Sequence, residues 1–242
     1  MYIKCKTDRG RIRETNQDYV LTFKGSKYTL LIVADGMGGH NAGETASRIA
    51  ATTLREFIIE NINSYHEKDE LIRDGILEAN RKVFEESLKD EKYKGMGTTV
   101  TCCLILQNKL YLGHVGDSRA YIINVREIRK ISEDHSYVQE LINKGSITEA
   151  EAQMHPQRNL ITRAIGIDKY VVVDTKIENL EDKDCVLLCS DGLTSYVSSE
   201  EMWKMILDKR EDAVDDLINL ANERGGSDNI SIIIARKGDE DE

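Results

Sequence analysis

The stretch that most constrains this chain is LLIVADGMGGH, residues 30–40. Five uninterrupted apolar residues, Leu30 to Ala34, lead into Asp35, Gly36, Met37, Gly38, Gly39 and His40. A run this short, bounded by glycines, reads as a buried strand. It delivers a carboxylate to the rim of a sheet, beside glycines that let the backbone turn and approach a ligand closely. Taken alone, an Asp-Gly turn between strands explains the stretch at least as well.

The same construction recurs. Residues 185–192, CVLLCSDG, are another apolar run ending in Asp191 and Gly192. Residues 110–118, LYLGHVGDS, deliver Asp117, and 225–234, GGSDNISIII, place Asp228 just ahead of a further strand. Near the start, RETNQDYV sets Asp18 at the head of a strand, with Arg13 five residues earlier. Hairpin turns account for one or two of these sites, not for five.

Carboxylates gathered at sheet rims repel one another, and unless a cation neutralises them some must be protonated. No His or Cys sits directly beside them, so an all-oxygen site is expected. Such sites suit magnesium, manganese or calcium and not zinc. Two divalent ions bridged by one carboxylate lower the pKa of a shared water and orient it for in-line attack at phosphorus. Arg13 is the candidate to hold the phosphate, because a guanidinium can fork two hydrogen bonds onto its oxygens.

Composition narrows the field. With 33 basic and 43 acidic residues the 242-residue chain carries a net charge of −10, which argues against a nucleic-acid partner. The single proline, Pro156, and the lack of Gly/Ser tracts leave no visible linker, so one domain over 1–237 is expected, with an acidic tail at 238–242. No apolar run exceeds five residues, and no signal-peptide pattern follows Met1. Both point to the cytoplasm and to no membrane span. Cys5, Cys102, Cys103, Cys185 and Cys189 lack zinc-ligand spacing and read as small buried hydrophobes in a reducing compartment.

Periodicity predicts strands over 2–7, 18–24, 28–34, 98–106, 109–115, 119–125, 170–177, 185–190 and 230–236. Asn41 is placed to cap a helix starting near Gly43, whose packed face carries Ala46, Ile49, Ala50, Leu54, Phe57 and Ile58. A second helix follows over about 68–89, and another over 136–144. Thr148 with Glu151 and Ser198 with Glu201 are capping-box signatures, and a last helix covers 210–223. Residues 156–168 read as a flexible connector. His114 and Trp203 read as packing residues, and His135 and His155 as structural residues. Runs of strands and runs of helices, without strict alternation, indicate α+β layers.

These segments together resemble the metal-dependent PPM, or PP2C, protein phosphatases in their compact bacterial form. The matching segments are RETNQD (13–18), VADGMGGHNAGETAS (33–47), GMGTTV (95–100), HVGDSRAY (114–121), ISEDHSYV (131–138), GSITEAEAQMHPQRNLITRAIG (145–166), LLCSDGLT (187–194) and GGSDNISII (225–233). They occur in family order over nearly the whole chain. The resemblance implies a four-layer α-β-β-α sandwich, two antiparallel sheets packed face to face and flanked by helix pairs. It implies hydrolysis of phosphoserine and phosphothreonine in proteins with two core manganese or magnesium ions, and therefore a cognate protein kinase. A monomer is expected.

By position, Asp35 bridges the two ions and the Gly36 carbonyl ligates one, while Asp191 and Asp228 complete the other. Asp18 holds a water on the metal, and Asp117, with Asp191, matches the site of a third metal. Arg13 matches the phosphate-binding arginine, and residues 134–166 match a flap beside the site. Two departures stand out. Gln17 replaces an acidic residue that some members carry, and Met37 occupies the place of the histidine proposed as general acid in animal members. His40 is the nearest replacement. A phosphopeptide-binding module without turnover and a small-molecule phosphohydrolase are the competing readings.

Overall fold

The computed structural model describes residues 1–39 and 42–238. Among these, strands β1 (Tyr2–Asp8), β2 (Asp18–Lys24) and β3 (Tyr28–Met37) precede two long helices, α1 (Ala42–Asn61) and α2 (Lys68–Ser87). Strands β4 (Gly97–Thr98), β5 (Val100–Leu106), β6 (Lys109–Val115), β7 (Arg119–Ile123) and β8 (Ile128–Lys130) follow. Next come α3 (Tyr137–Asn143), α4 (Glu149–Gln153), β9 (Asp174–Asn179) and β10 (Cys185–Cys189). Helices α5 (Asp191–Thr194), α6 (Ser199–Lys209) and α7 (Ala213–Glu223) and strand β11 (Ile230–Arg236) close the chain.

Two antiparallel sheets result. One runs β2-β3-β5-β6-β9, with β4 paired to the end of β3, and the other runs β1-β11-β10-β7-β8. The period-two alternation of a strand explains how each sheet serves two cores. Leu30, Ile32 and Ala34 pack beneath α1 and α2, with Leu54, Ile72 and Ile76. Leu31 and Val33, pointing the other way, meet Leu188 and Ile233 of the second sheet. Leu187, Ile232 and Ile234 turn outward again beneath Met202, Leu217 and Ile218 of α6 and α7. Sheets covered on both faces need apolar residues at every position, which is why these strands read as continuous apolar runs. The α+β four-layer sandwich is the architecture expected from the sequence.

Both capping boxes form: Ser198 and Thr148 each exchange hydrogen bonds with the glutamate three residues on. Cys102 and Cys103 face opposite sides of β5, and His114 is buried. Trp203 packs on the second sheet and donates its Nε1–H to the Asn124 carbonyl at 2.9 Å.

Several expectations are corrected. β3 does not stop at Ala34 but runs on to Met37, because Gly36 and Met37 pair with Thr98 and Gly97. The predicted strand at 98–106 is interrupted at Thr99, whose N–H instead meets the Asp35 carbonyl. Residues 170–173 alternate like a strand but lack a partner, since the β6 ladder reaches only from Asn179 to Asp174. Residues 156–168 are irregular yet tied down: Ile165 bridges Thr98, Ile161 bridges Ser136, and the Gly166 N–H donates to the buried Asn80 side chain at 2.8 Å. Cys5 is exposed, because β1 is an edge strand. Asn41, His40 and the acidic tail from Asp239 onward lie outside the described residues. Among the described residues no helix is long and apolar enough to cross a membrane.

Candidate active site

The first sheet brings Asp18 and Asp35 directly opposite each other, in register across β2 and β3. Residue 36 must be glycine for reasons of space: a Cβ there would stand 2.1 Å from the Gly43 carbonyl oxygen and 2.5 Å from that of Gln17. The N-terminus of α1 therefore lies against the bare backbone beside Asp35. Thr98 and Thr99 hold the Asp35 backbone. The Thr98 hydroxyl donates to the Asp35 carbonyl at 2.9 Å, and the Asp35 N–H donates to the Thr99 hydroxyl at 3.0 Å.

The second sheet supplies the opposite wall. Asp191 opens the short helix α5 straight after β10. Gly192 lies so close to β11 that a Cβ would fall 2.0 Å from the Asn229 carbonyl oxygen. Ser190, fully buried, donates its hydroxyl to Asp18 Oδ2 at 2.8 Å and ties the two sheets together at the rim. Arg13 reaches in from the loop before β2 and donates through Nη2 to Asp228 Oδ2 at 2.7 Å. Asp117 follows β6 and lines, with Asp191, a cleft of about 890 Å³ between α3–α4 and α5–α6.

Electrostatics show that these groups share one field. Burial, then the charges of Asp18, Asp191, Asp117 and Asp228, hold the Asp35 carboxyl well above the ordinary carboxylate range. Burial is also the main cause at the others. Asp18 is pushed up to about 7, with hydrogen bonds from Ser231 and Ser190 opposing and Asp191 and Asp228 reinforcing the rise. Asp117 is pushed up to about 8, helped by Asp191 and Asp134. Asp191 rises to about 6, driven further by Asp228 and offset by Asp35, Arg119 and Arg13.

The donor set fits hard divalent cations. Every candidate ligand is an oxygen, and Asp18 Oδ1 and Asp191 Oδ1 are buried without a hydrogen-bond partner. Among the described residues, no three acidic, histidine or cysteine side chains stand close enough to enclose an ion as placed. The aspartates thus line a common rim without forming a closed cage, as mutually repelling groups do.

All the sequence-predicted site residues that are described, Arg13, Asp18, Asp35, Gly36, Asp117, Asp191 and Asp228, lie along this rim. His40 lies outside the described residues. Gln17, which stands where some family members carry an acidic residue, donates its side-chain N–H to the Gly38 carbonyl at 3.2 Å and so braces the glycine turn.

Sequence reasoning missed Asn229. Its Nδ2 donates to the carbonyls of Arg9 at 2.9 Å and Thr15 at 3.0 Å, and its Oδ1 accepts from the Gln17 N–H at 2.8 Å. One buried amide thus shapes the loop that carries Arg13. The signal was a polar residue at the mouth of an apolar strand, inside GGSDNISII. Asn229→Ala leaves those backbone groups without partners, so it is expected to cost about 2–3 kcal/mol of stability, read by urea unfolding. An unchanged midpoint would show that the loop does not depend on it.

Residues 9–230 match the family model for protein phosphatase 2C. The chain belongs to the protein phosphatase 2C family. It is 36% identical over 242 residues to the serine/threonine phosphatase stp of Listeria monocytogenes, covering 98% of this chain and 96% of that one. Among solved structures it is similar to the serine/threonine phosphatase Stp1 from Staphylococcus aureus, with TM-score 0.92, 39% identity and coverage of 98% and 95%. It is also similar to the catalytic domain of the phosphatase PstP in complex with two manganese ions, with TM-score 0.87, 32% identity and 98% coverage of both chains. The PP2C match contains Arg13, Asp18, Asp35, Asp117, Asp191, Asp228 and Asn229, and the PP2C sandwich is what brings them to one rim.

Proposed function

We propose that this protein serine/threonine phosphatase hydrolyses phosphoserine and phosphothreonine in proteins at the rim between its two sheets. The observation that carries the reading is that Asp18, Asp35, Asp117 and Asp191 have their proton affinity raised by burial and by neighbouring carboxylates, Asp228 among them, around two unpartnered buried carboxylate oxygens.

Manganese or magnesium would be held by Asp35, which feels the charge of all the other site aspartates and would be shared by two ions, with the Gly36 carbonyl, Asp191 and Asp228. Asp117 is the candidate for a third ion. Such ions, when bound, supply Lewis acidity and a nucleophile at neutral pH. The protein's own residues do the rest. Asp18, gripped by Ser190, orients water at the floor of the site. Arg13 exchanges Asp228 for a phosphate oxygen, since the guanidinium serves as that carboxylate's counter-charge here. The leaving serine or threonine oxygen needs a proton, and His40 is the candidate donor. The 890 Å³ cleft, walled by Gln139 and Arg158 on one side and Tyr196 on the other, has room for the peptide around the phosphorylated residue.

The phosphatase domain spans 1–237 with its flap at 134–166, followed by the acidic tail. We place the protein in the cytoplasm as a monomer, opposite a serine/threonine protein kinase that supplies its substrates.

The deciding experiment compares manganese-dependent phosphate release from a phosphothreonine protein, a phosphothreonine peptide and free phosphoserine. Preference for the phosphoprotein supports the reading. Faster turnover of free phosphoserine makes the protein a small-molecule phosphohydrolase, and tight binding without release makes it a phosphopeptide-binding module. Arg13→Lys loses the forked contact, so kcat/KM for the phosphoprotein is expected to fall about tenfold to a hundredfold, while the manganese requirement does not rise. An unaltered kcat/KM would remove Arg13 from the phosphate.

A further inference from the structure

We propose that His135 is a positioning residue for Asp117, acting through the backbone of Gly116. The inference rests on the reading above that Asp117 holds a cation. Gly116 has φ +117°, a conformation open to glycine, and the Thr99 side chain packed against it leaves no room for a Cβ. Both of its polar groups are gripped by a single distant residue. The His135 N–H donates to the Gly116 carbonyl at 2.7 Å, and the Gly116 N–H donates to His135 Nδ1 at 3.0 Å. The direction in which the chain enters Asp117 is therefore held from the segment that follows β8.

The second bond settles the state of the ring. A backbone N–H can only donate, so Nδ1 presents its lone pair and the proton sits on Nε2. Nε2 faces Asp174 Oδ2 at 3.0 Å, which accepts that proton's hydrogen bond. Arg163 Nη1 donates to the other oxygen, Asp174 Oδ1, at 2.8 Å and keeps the carboxylate in place. It also stands 3.1 Å from His135 Nε2, but with the proton on Nε2 that contact is between two donors and the Asp174 bond is the one that forms. The chain of contacts is Arg163 to Asp174 to His135 to Gly116, and it ends one residue before Asp117. His135 is buried and packs against the equally buried His114 ring, with centroids 4.8 Å apart, so it has little freedom to turn. Its own backbone starts the neck of the flap: the His135 carbonyl accepts from the Thr162 N–H at 2.8 Å, and the Tyr137 N–H donates to the Leu160 carbonyl at 2.8 Å.

Two substitutions separate the ring's two nitrogens. His135→Asn keeps an acceptor near the Nδ1 position and gives up Asp174, whereas His135→Gln reaches toward Asp174 and gives up Gly116. Manganese binding to the whole protein is measured directly, by paramagnetic resonance of the free ion, together with thermal unfolding of each variant. His135→Gln and Asp117→Asn are expected to weaken the weakest class of manganese sites about tenfold or more, with His135→Asn near the unmodified protein. Equal behaviour of the two His135 variants overturns the proposal, because a merely structural ring would not distinguish them. Should His135→Gln not fold, nitrogen NMR of the unmodified ring decides: a proton on Nε2 is expected, and one on Nδ1 overturns it. If Asp117→Asn binds manganese like the unmodified protein, the assignment of a cation to Asp117 has failed, and this inference falls with it.

Discussion

Asp35→Asn is expected to lower manganese-dependent release of phosphate from a phosphothreonine protein by about a thousandfold, the rate equivalent of ~4 kcal/mol of lost transition-state stabilisation. Asp35 feels the charge of Asp18, Asp191, Asp117 and Asp228 at once, and the proposed function makes it the ligand shared by two cations. The asparagine keeps the size of the side chain and one carbonyl acceptor, but it supplies neither the charge nor the second ligating oxygen. The same substitution removes a buried carboxyl whose ionisation is opposed by burial and by the neighbouring aspartates. The metal-free variant is therefore expected to unfold at a higher temperature than the metal-free parent, although it is nearly inactive. A variant that loses activity and stability together would instead show that Asp35 acts through folding.

The second large effect is on stability against pH. Asp191, Asp18 and Asp117 are held up to about 6, 7 and 8 in the folded chain, against an ordinary value of 3.8. Each is harder to ionise folded than unfolded, so the unfolded chain sheds its protons first as pH rises. Stability of the metal-free protein accordingly falls from about pH 4 upward and levels off once the folded values are passed, near pH 8. His114 works in the opposite direction. Burial lowers it from 6.5 to about 4, so its contribution to stability grows as pH rises across that span. His114 offsets only one of the three carboxyls, so the net fall runs from about pH 4 to 8 and is steepest below about pH 6. It is expected to reach a few kcal/mol, or roughly 10 °C in the unfolding midpoint. Manganese should abolish the fall, because binding takes the carboxylates in their ionised form. Midpoints measured across this range with chelator and with manganese test the point, and parallel curves would show that the aspartates do not share a site.

The local pieces were legible because they depend on near neighbours in the chain. An apolar run ending in Asp-Gly, a serine three residues before a glutamate, and apolar spacing at 46, 50 and 54 each carry their own physical signal. They were enough to place most of the strands, both capping boxes and five aspartates at strand ends. The family order of the segments then indicated which sheet rim they share.

The rest depended on contacts between residues far apart in sequence. Gly36 reads locally as a turn, yet it lies inside β3, and what excludes a side chain there is the backbone of Gly43 and Gln17. Residues 156–168 have no periodicity because side chains such as Asn80, and not a ladder of their own, satisfy their backbone. Cys5 has the pattern of a buried residue but falls on an edge strand, and strand order is not written in any single strand. Asn229 sits 214 residues from Thr15, one of the carbonyls it holds. By itself the sequence determined which residue types could bind hard cations and on which local elements they ride. Only the tertiary structure decided that Asp18 stands opposite Asp35, that Ser190 joins the two sheets beneath them, and that His135 grips Gly116. Register, strand order and sheet-to-sheet distance are set by the packing of three shared cores, which no single segment contains.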